Sequence, residues 1–163
     1  MNYKSLCEQI YLAWRSSPYQ FIDFSKDFET NHLPEPYYSI KSGSNPLIIL
    51  NNNPGSTLAF QEHSSVLNEI PDEFDYSHVS SWLKEKYVNS DIISRTARTR
   101  ILRTEQIEEA LGCDGVENVE TFFLHSSSFN KEKFIRNYSN NEIVKSYISL
   151  LSEYLDNRPV LIV

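Results

Sequence analysis

The chain has 163 residues, 40% hydrophobic and 13% aromatic, which suffices for the core of one domain and is too apolar for a disordered polymer. A formal charge of −7 excludes a protein that coats nucleic acid by bulk electrostatics, because that needs many exposed Lys and Arg. Met1 to Glu8 lacks the basic start and apolar run of a secretory signal, no stretch approaches the roughly 20 apolar residues that span a bilayer, and Cys7 and Cys113 lack CxxC or Cys/His spacing; the expectation is a cytoplasmic protein with reduced thiols, no metal, no cofactor and no membrane partner.

Tyr3, Leu6, Ile10, Ala13 and Trp14 recur at three- and four-residue steps and predict an amphipathic helix over residues 1–15, ended by Ser16-Ser17-Pro18. From Tyr19 to Tyr38 the chain is aromatic and irregular, with Pro34 and Pro36 holding their neighbours extended. After a turn at Ser42-Gly43-Ser44-Asn45, Leu47-Ile48-Ile49-Leu50 is a continuous apolar run between turn residues, the mark of a parallel strand covered on both faces. Helices are expected near 56–69, 78–88 and 98–111.

Arg95, Arg98, Arg100 and Arg103 form a basic island in this acidic chain. It reads either as a set of phosphate contacts, with Arg98 and Arg100 foremost, or as a solvated helix face. A turn at Gly112-Cys113-Asp114-Gly115 introduces a second strand, Val119 to Leu124, and Pro159 starts a third, Val160 to Val163. Between them, Ser139 and Glu142 have capping-box spacing ahead of the apolar face formed by Ile143, Val144, Tyr147, Ile148, Leu151 and Leu155.

Strands separated by helical stretches predict an α/β fold with a mostly parallel sheet flanked by helices. The 163 residues read as a single domain, 1–32 being a helical and irregular extension and 33–163 the core. Ligands of such sheets bind beyond the carboxyl ends of the strands. That selects the loops Asn51 to Phe60 and His125 to Asn130. Since the third strand runs to Val163, the expectation is a sheet incomplete at its C-terminal side, as in a fragment or a truncated protein.

Asn51-Asn52-Asn53-Pro54-Gly55 ends the first strand and sets amide side chains, each both donor and acceptor, at its carboxyl edge. A helix beginning at Ser56 or Thr57 would add backbone N–H groups suited to an anion or a polar base edge. The same residues also suit an ordinary strand-to-helix turn. Ser126 to Ser128 read either as a phosphate holder or as a cap for a helix starting at Lys131.

Pro46-Leu47-Ile48-Ile49-Leu50-Asn51-Asn52-Asn53-Pro54-Gly55 resembles the first motif of the uracil-DNA glycosylase superfamily, a buried strand running into Gly-x-Asn-Pro-Gly in the mismatch-specific and single-strand-selective branches. Leu33-Pro34-Glu35-Pro36-Tyr37 resembles the lead-in of uncharacterised bacterial members, and Val119-Glu120-Thr121-Phe122-Phe123-Leu124-His125-Ser126 is similar to their Glu-x-Phe-Pro-Tyr-His-Ser motif. The resemblance covers residues 33–163 and implies a uracil-DNA glycosylase-like fold. It implies that Asn53 is the catalytic residue that orients the attacking water. It further implies that Asn51, Asn52, Pro54, Gly55, Phe60, Glu120, His125 and Ser126 contact a base or ligand, Phe60 by stacking and Glu120 at the position of a base-reading Asn, although Phe60 in a helical segment also reads as core and Glu120 equally as an ion-pair partner or surface residue. No metal is required, because preorganised dipoles stabilise an oxocarbenium-like sugar and an anionic base. Asn51 replaces the family's Gly, Glu120 its Asn, and Phe123-Leu124 its Pro-Tyr, while the family's later His-bearing loop is not among these residues. The expected function is therefore base or nucleotide recognition in DNA by a DNA-repair hydrolase-like protein with little uracil excision. The alternative is a non-catalytic module that binds a nucleotide or a protein partner on the same scaffold.

Overall fold

The computed structural model describes residues 1–41, 43–55, 58–72, 75–89, 95–156 and 158–162. Its first element, helix α1 (Tyr3–Ser16), is capped by the Asn2 side chain, which accepts from the Ser5 N–H. Of the predicted stripe it buries Tyr3, Leu6, Ile10 and Trp14, with Ala13 half-buried and Cys7 and Tyr11 added. A 3-10 segment (Pro18–Phe24) follows, and then strands β1 (Tyr37–Lys41) and β2 (Leu47–Asn51). A short 3-10 turn (Ala59–Gln61) leads into helices α2 (His63–Glu69), α3 (Tyr76–Asn89) and α4 (Arg95–Leu111). Strand β3 (Val116–Glu120), helices α5 (Lys131–Tyr138) and α6 (Glu142–Leu155), and strand β4 (Val160–Ile162) complete the order.

The four strands form one mixed sheet in the order β1-β3-β2-β4. β2 runs parallel to β3 and to β4, as expected for the apolar run at 47–50. The remaining pairing, β1 against β3, is antiparallel. β1 is not among the expected strands, since the two prolines before it mask the Tyr37-Tyr38-Ser39 pattern. β3 is also displaced from the expected 119–124 and ends at Glu120, opposite Asn51, because its partner β2 stops there. Phe122, Phe123 and Leu124 therefore enter the core from a loop. Around 56–69 the helix is shorter than expected, with α2 beginning only at His63, while Ser56 and Thr57 lie outside the described residues. The cap of α6 is Asn141, which accepts from the Ile143 and Val144 N–H groups, whereas Ser139 closes α5.

Alternation along β3 divides the helices between two faces. Glu117 meets Lys4 of α1 and Tyr154 of α6 on one face, which is packed with aromatic rings. Val116, with Leu47 and Ile49, meets Ile107 of α4 on the other. α3 lies beside β1, where Tyr76 packs on Tyr37 and Tyr87 on Tyr38. Residues before Leu33 belong to the same core as the sheet: Trp14 and Cys7 are fully buried, and the Tyr3 hydroxyl meets both the Pro36 carbonyl and the Tyr147 hydroxyl at 3.0 Å. Two close turns join at the amino end of the sheet. A Cβ at Gly43 would stand 1.6 Å from the Asp114 carbonyl oxygen, so only glycine lets the backbones approach, and Ser44 then donates to the Asp114 carboxylate. Among the described residues no helix is long and apolar enough to cross a membrane.

Burial raises the pKa of Tyr3, Tyr76 and Tyr147 well above the ordinary phenol value, since a phenolate there would lose its hydration. The folded value exceeds the unfolded one, so the stabilisation is complete below about pH 10 and is lost as pH rises beyond it. In a spectrophotometric titration, these three phenols are expected to ionise only together with unfolding, at the pH where far-ultraviolet circular dichroism collapses. Their reversible ionisation in the native protein would contradict the packing described.

Candidate functional site

β2 and β3 end level with one another, and the chains that leave them stay paired. Thr121 donates to the Asn51 carbonyl through its N–H (2.8 Å) and its hydroxyl (2.7 Å), Phe122 N–H to Asn52 O (3.1 Å), and Ser126 N–H to Pro54 O (3.1 Å). These bonds extend the parallel contact beyond the last sheet residues. Asn53 lies within this double loop, half-buried, with Nδ2 donating to Pro54 O (2.8 Å) and Leu124 O (3.2 Å). Carbonyls only accept, so the nitrogen must face them. Oδ1 is thereby turned away and receives no hydrogen bond from the described residues.

His125 ties three segments together from inside. Its ring is buried, with Nδ1 3.0 Å from Gly55 O and Nε2 3.1 Å from Leu33 O. Nε2 also stands 3.3 Å from Gln61 Nε2 and 3.6 Å from Glu35 Oε1. Glu35 is itself buried and accepts from Gln61 Nε2 and the Tyr87 hydroxyl. Sequence reasoning places His125 near Asn53 but misses Glu35, Gln61 and Tyr87. One signal is present: a carboxylate between Pro34 and Pro36, in an otherwise apolar and aromatic run, requires buried partners.

The other expected site residues are distributed unevenly. Asn52 and Gly55 are exposed, Pro54 is buried, and Asn51 is half-buried with Nδ2 donating to the Ile49 carbonyl two residues back at 3.3 Å. Glu120 is fully buried, and its odd offset from Glu117 directs it to the α4 face of the sheet. A base-reading contact needs a carboxylate open to ligand, and this one is closed off. Phe60 is half-buried and packs edge-on against Trp82 and Tyr87 at 5.5 and 5.7 Å, which places its ring against α3 rather than over the loop. Ser126 is buried and accepts from Ser128 N–H, while the cap of α5 is Asn130 instead of any serine. Arg98 and Arg100 lie on α4, but their side chains fall outside the described residues.

An open cleft of about 290 Å³ lies between residues 25–29 and 126–130, beside this double loop. Its wall holds Asp27, whose carboxyl is kept below its ordinary range by Lys133 and then by Tyr138. Burial, and then Asp27, pushes Tyr138 up to about 12. Asn53 is not part of the lining. Among the described residues no group of three His, Cys, Asp or Glu side chains is placed to hold a metal ion.

No protein-family model, no curated protein and no solved structure matches the chain.

The Asn53 amide bridges two backbone carbonyls, so its replacement tests the loop directly. Asn53→Ala is expected to cost about 1–2 kcal/mol by loss of these bonds. Asn53→Asp should cost more, because an ionised carboxylate would face the same carbonyls with no proton to offer. Urea unfolding of the three proteins reads the order, and an Asp variant as stable as wild type would show that the amide does not face Leu124.

Proposed function

We propose that the chain is a uracil-DNA glycosylase-like protein that recognises a base or nucleotide in DNA at the Asn51–Gly55 loop, with N-glycosidic hydrolysis of uracil reduced to a negligible rate. The observation that carries this reading is the orientation of Asn53. Two backbone carbonyls hold its nitrogen, leaving Oδ1 as a fixed acceptor at the carboxyl end of a parallel strand. A neutral amide oxygen accepts a hydrogen bond from water and aims it without removing its proton. Such an arrangement suits attack on a sugar that already carries positive charge.

The reduced turnover follows from the neighbours. Asn51 brings a side chain where the resembling motif has glycine, and Glu120 is fully buried, closed to any base edge. Removing a single oxyanion-hole-type donor costs about 10²–10³ in rate. Two such departures suffice to hide turnover while leaving a polar loop able to bind.

Uracil-containing single-stranded and mismatched DNA should yield no more abasic sites with the wild-type chain than with Asn53→Ala. Robust abasic-site formation, lost in Asn53→Ala, would overturn the reduced turnover and establish an active glycosylase. Binding provides the second measurement. Affinity for a single-stranded oligonucleotide should fall steeply with salt, and replacing Arg98 and Arg100 together by Ala should lower the log–log salt slope by about 2, one for each phosphate no longer neutralised. Binding indifferent to salt would indicate a small ligand or a protein partner instead of a nucleic acid.

A further inference from the structure

The buried ring of His125 meets partners that make opposite demands on one nitrogen. Among the described residues Nδ1 faces the Gly55 carbonyl alone and is satisfied by carrying a proton. Nε2 faces the Leu33 carbonyl at 3.1 Å, which requires a proton on the ring, and the Gln61 amide nitrogen at 3.3 Å, which requires a lone pair. Both demands are never met at once. With Nε2 bare, Gln61 is its donor and the Leu33 carbonyl is left opposite a lone pair. With Nε2 protonated, Leu33 is its acceptor and the Glu35 carboxylate, 3.6 Å away, supplies the counter-charge. Gln61 loses nothing in that state, since its two amide protons have Glu35 Oε1 and the Tyr87 hydroxyl as alternatives.

We propose that His125 is a proton-operated positioning residue: taking up a proton at Nε2 exchanges Gln61 for Leu33 as its partner, while Nδ1 holds Gly55 throughout, so that protonation ties the Leu33–Pro36 segment to the Asn51–Gly55 loop. Every element packed around the ring bears on the exchange. Glu35 comes from the Leu33–Pro36 segment and Tyr87 from α3. Glu29, whose N–H donates to the His125 carbonyl, and His32, bridged to Glu62, come from the preceding turn. His32 has its own pKa lowered by burial and next by the charge on His125, so the two rings resist being charged together. The exchange itself stands on geometry. Only its consequence, a pH-dependent grip of the loop on ligand, rests on the function proposed above.

Long-range proton–nitrogen spectra of the imidazole ring in the full chain, recorded over about pH 5 to 8 where histidine titrates, test it without any substitution. The expected neutral form has its proton on Nδ1 and a bare Nε2, the expected charged form has both, and the Gln61 side-chain amide signals move with the same midpoint. A neutral form protonated at Nε2, a ring that keeps one charge state throughout, or Gln61 signals that ignore the titration would each overturn the proposal. Two variants sharpen the result: Glu35→Gln should lower the midpoint by about one unit, tenfold in proton affinity, and Gln61→Met should raise it. Shifts in a common direction would count against the exchange, and if either variant fails to fold the wild-type spectra still decide. Expected spectra together with absent oligonucleotide binding would uphold the exchange and remove the proposed function.

Discussion

The arrangement depends on a requirement of backbone accounting: where two parallel strands end together inside a protein, their next polar groups must still be paired. Here the loops after β2 and β3 pair with each other, carbonyls of Asn51, Asn52 and Pro54 receiving N–H groups of Thr121, Phe122 and Ser126. The Leu33–Pro36 segment solves the same problem differently. Its two prolines have no N–H to satisfy, and the N–H groups of Leu33 and Glu35 go to Gln61 O and Phe123 O. The Pro34 carbonyl takes the Tyr76 hydroxyl, the Pro36 carbonyl takes the Tyr3 hydroxyl and Glu120 N–H, and the Leu33 carbonyl faces His125 Nε2. An irregular stretch can therefore be buried beside the candidate loop and help to fix it.

Much of this is legible in the sequence where a pattern is local. The run at 47–50 names β2, and the spacing of Leu6, Ile10 and Trp14 names α1, because burial of one helix stripe or one strand is written into neighbouring residues. What depends on distant partners is not legible. β3 stops at Glu120 only because β2 stops at Asn51, and nothing near Phe122 announces that. Asn141 and Ser139 are equally good caps by composition, and the turn decides between them. For the candidate site, the Asn-rich loop and its proximity to His125 follow from the rule for parallel sheets, whereas Gln61 and Tyr87 are polar residues on helical segments, with no feature that distinguishes them from surface residues.

The two faces of the sheet are unequal in chemistry. The face beneath α1 and α6 is filled by Tyr3, Tyr37, Tyr147 and Val119, and it continues into the ring cluster around Phe122. Among the described residues the face beneath α4 has the apolar group Leu47, Ile49, Val116 and Ile107 and, in addition, the buried polar residues Asn118, Glu120 and Thr104. Both amide atoms of Asn118 are buried without a hydrogen-bond partner. An unsatisfied buried group costs about 1–3 kcal/mol, and that cost falls on this face of the sheet.

The contact between Tyr3 and Tyr147 spans 144 residues, and this separation governs how the chain emerges during synthesis. At about 5–20 residues per second, the ribosome needs on the order of ten seconds to make the helix on which α1 will rest. For that interval the α6 side of α1, with Leu6 and Ile10, lacks its cover, and the Pro36 carbonyl awaits β3 as well. A helix that waits for a partner made this much later leaves an apolar stripe uncovered on the growing chain, and α6 is the element that covers it.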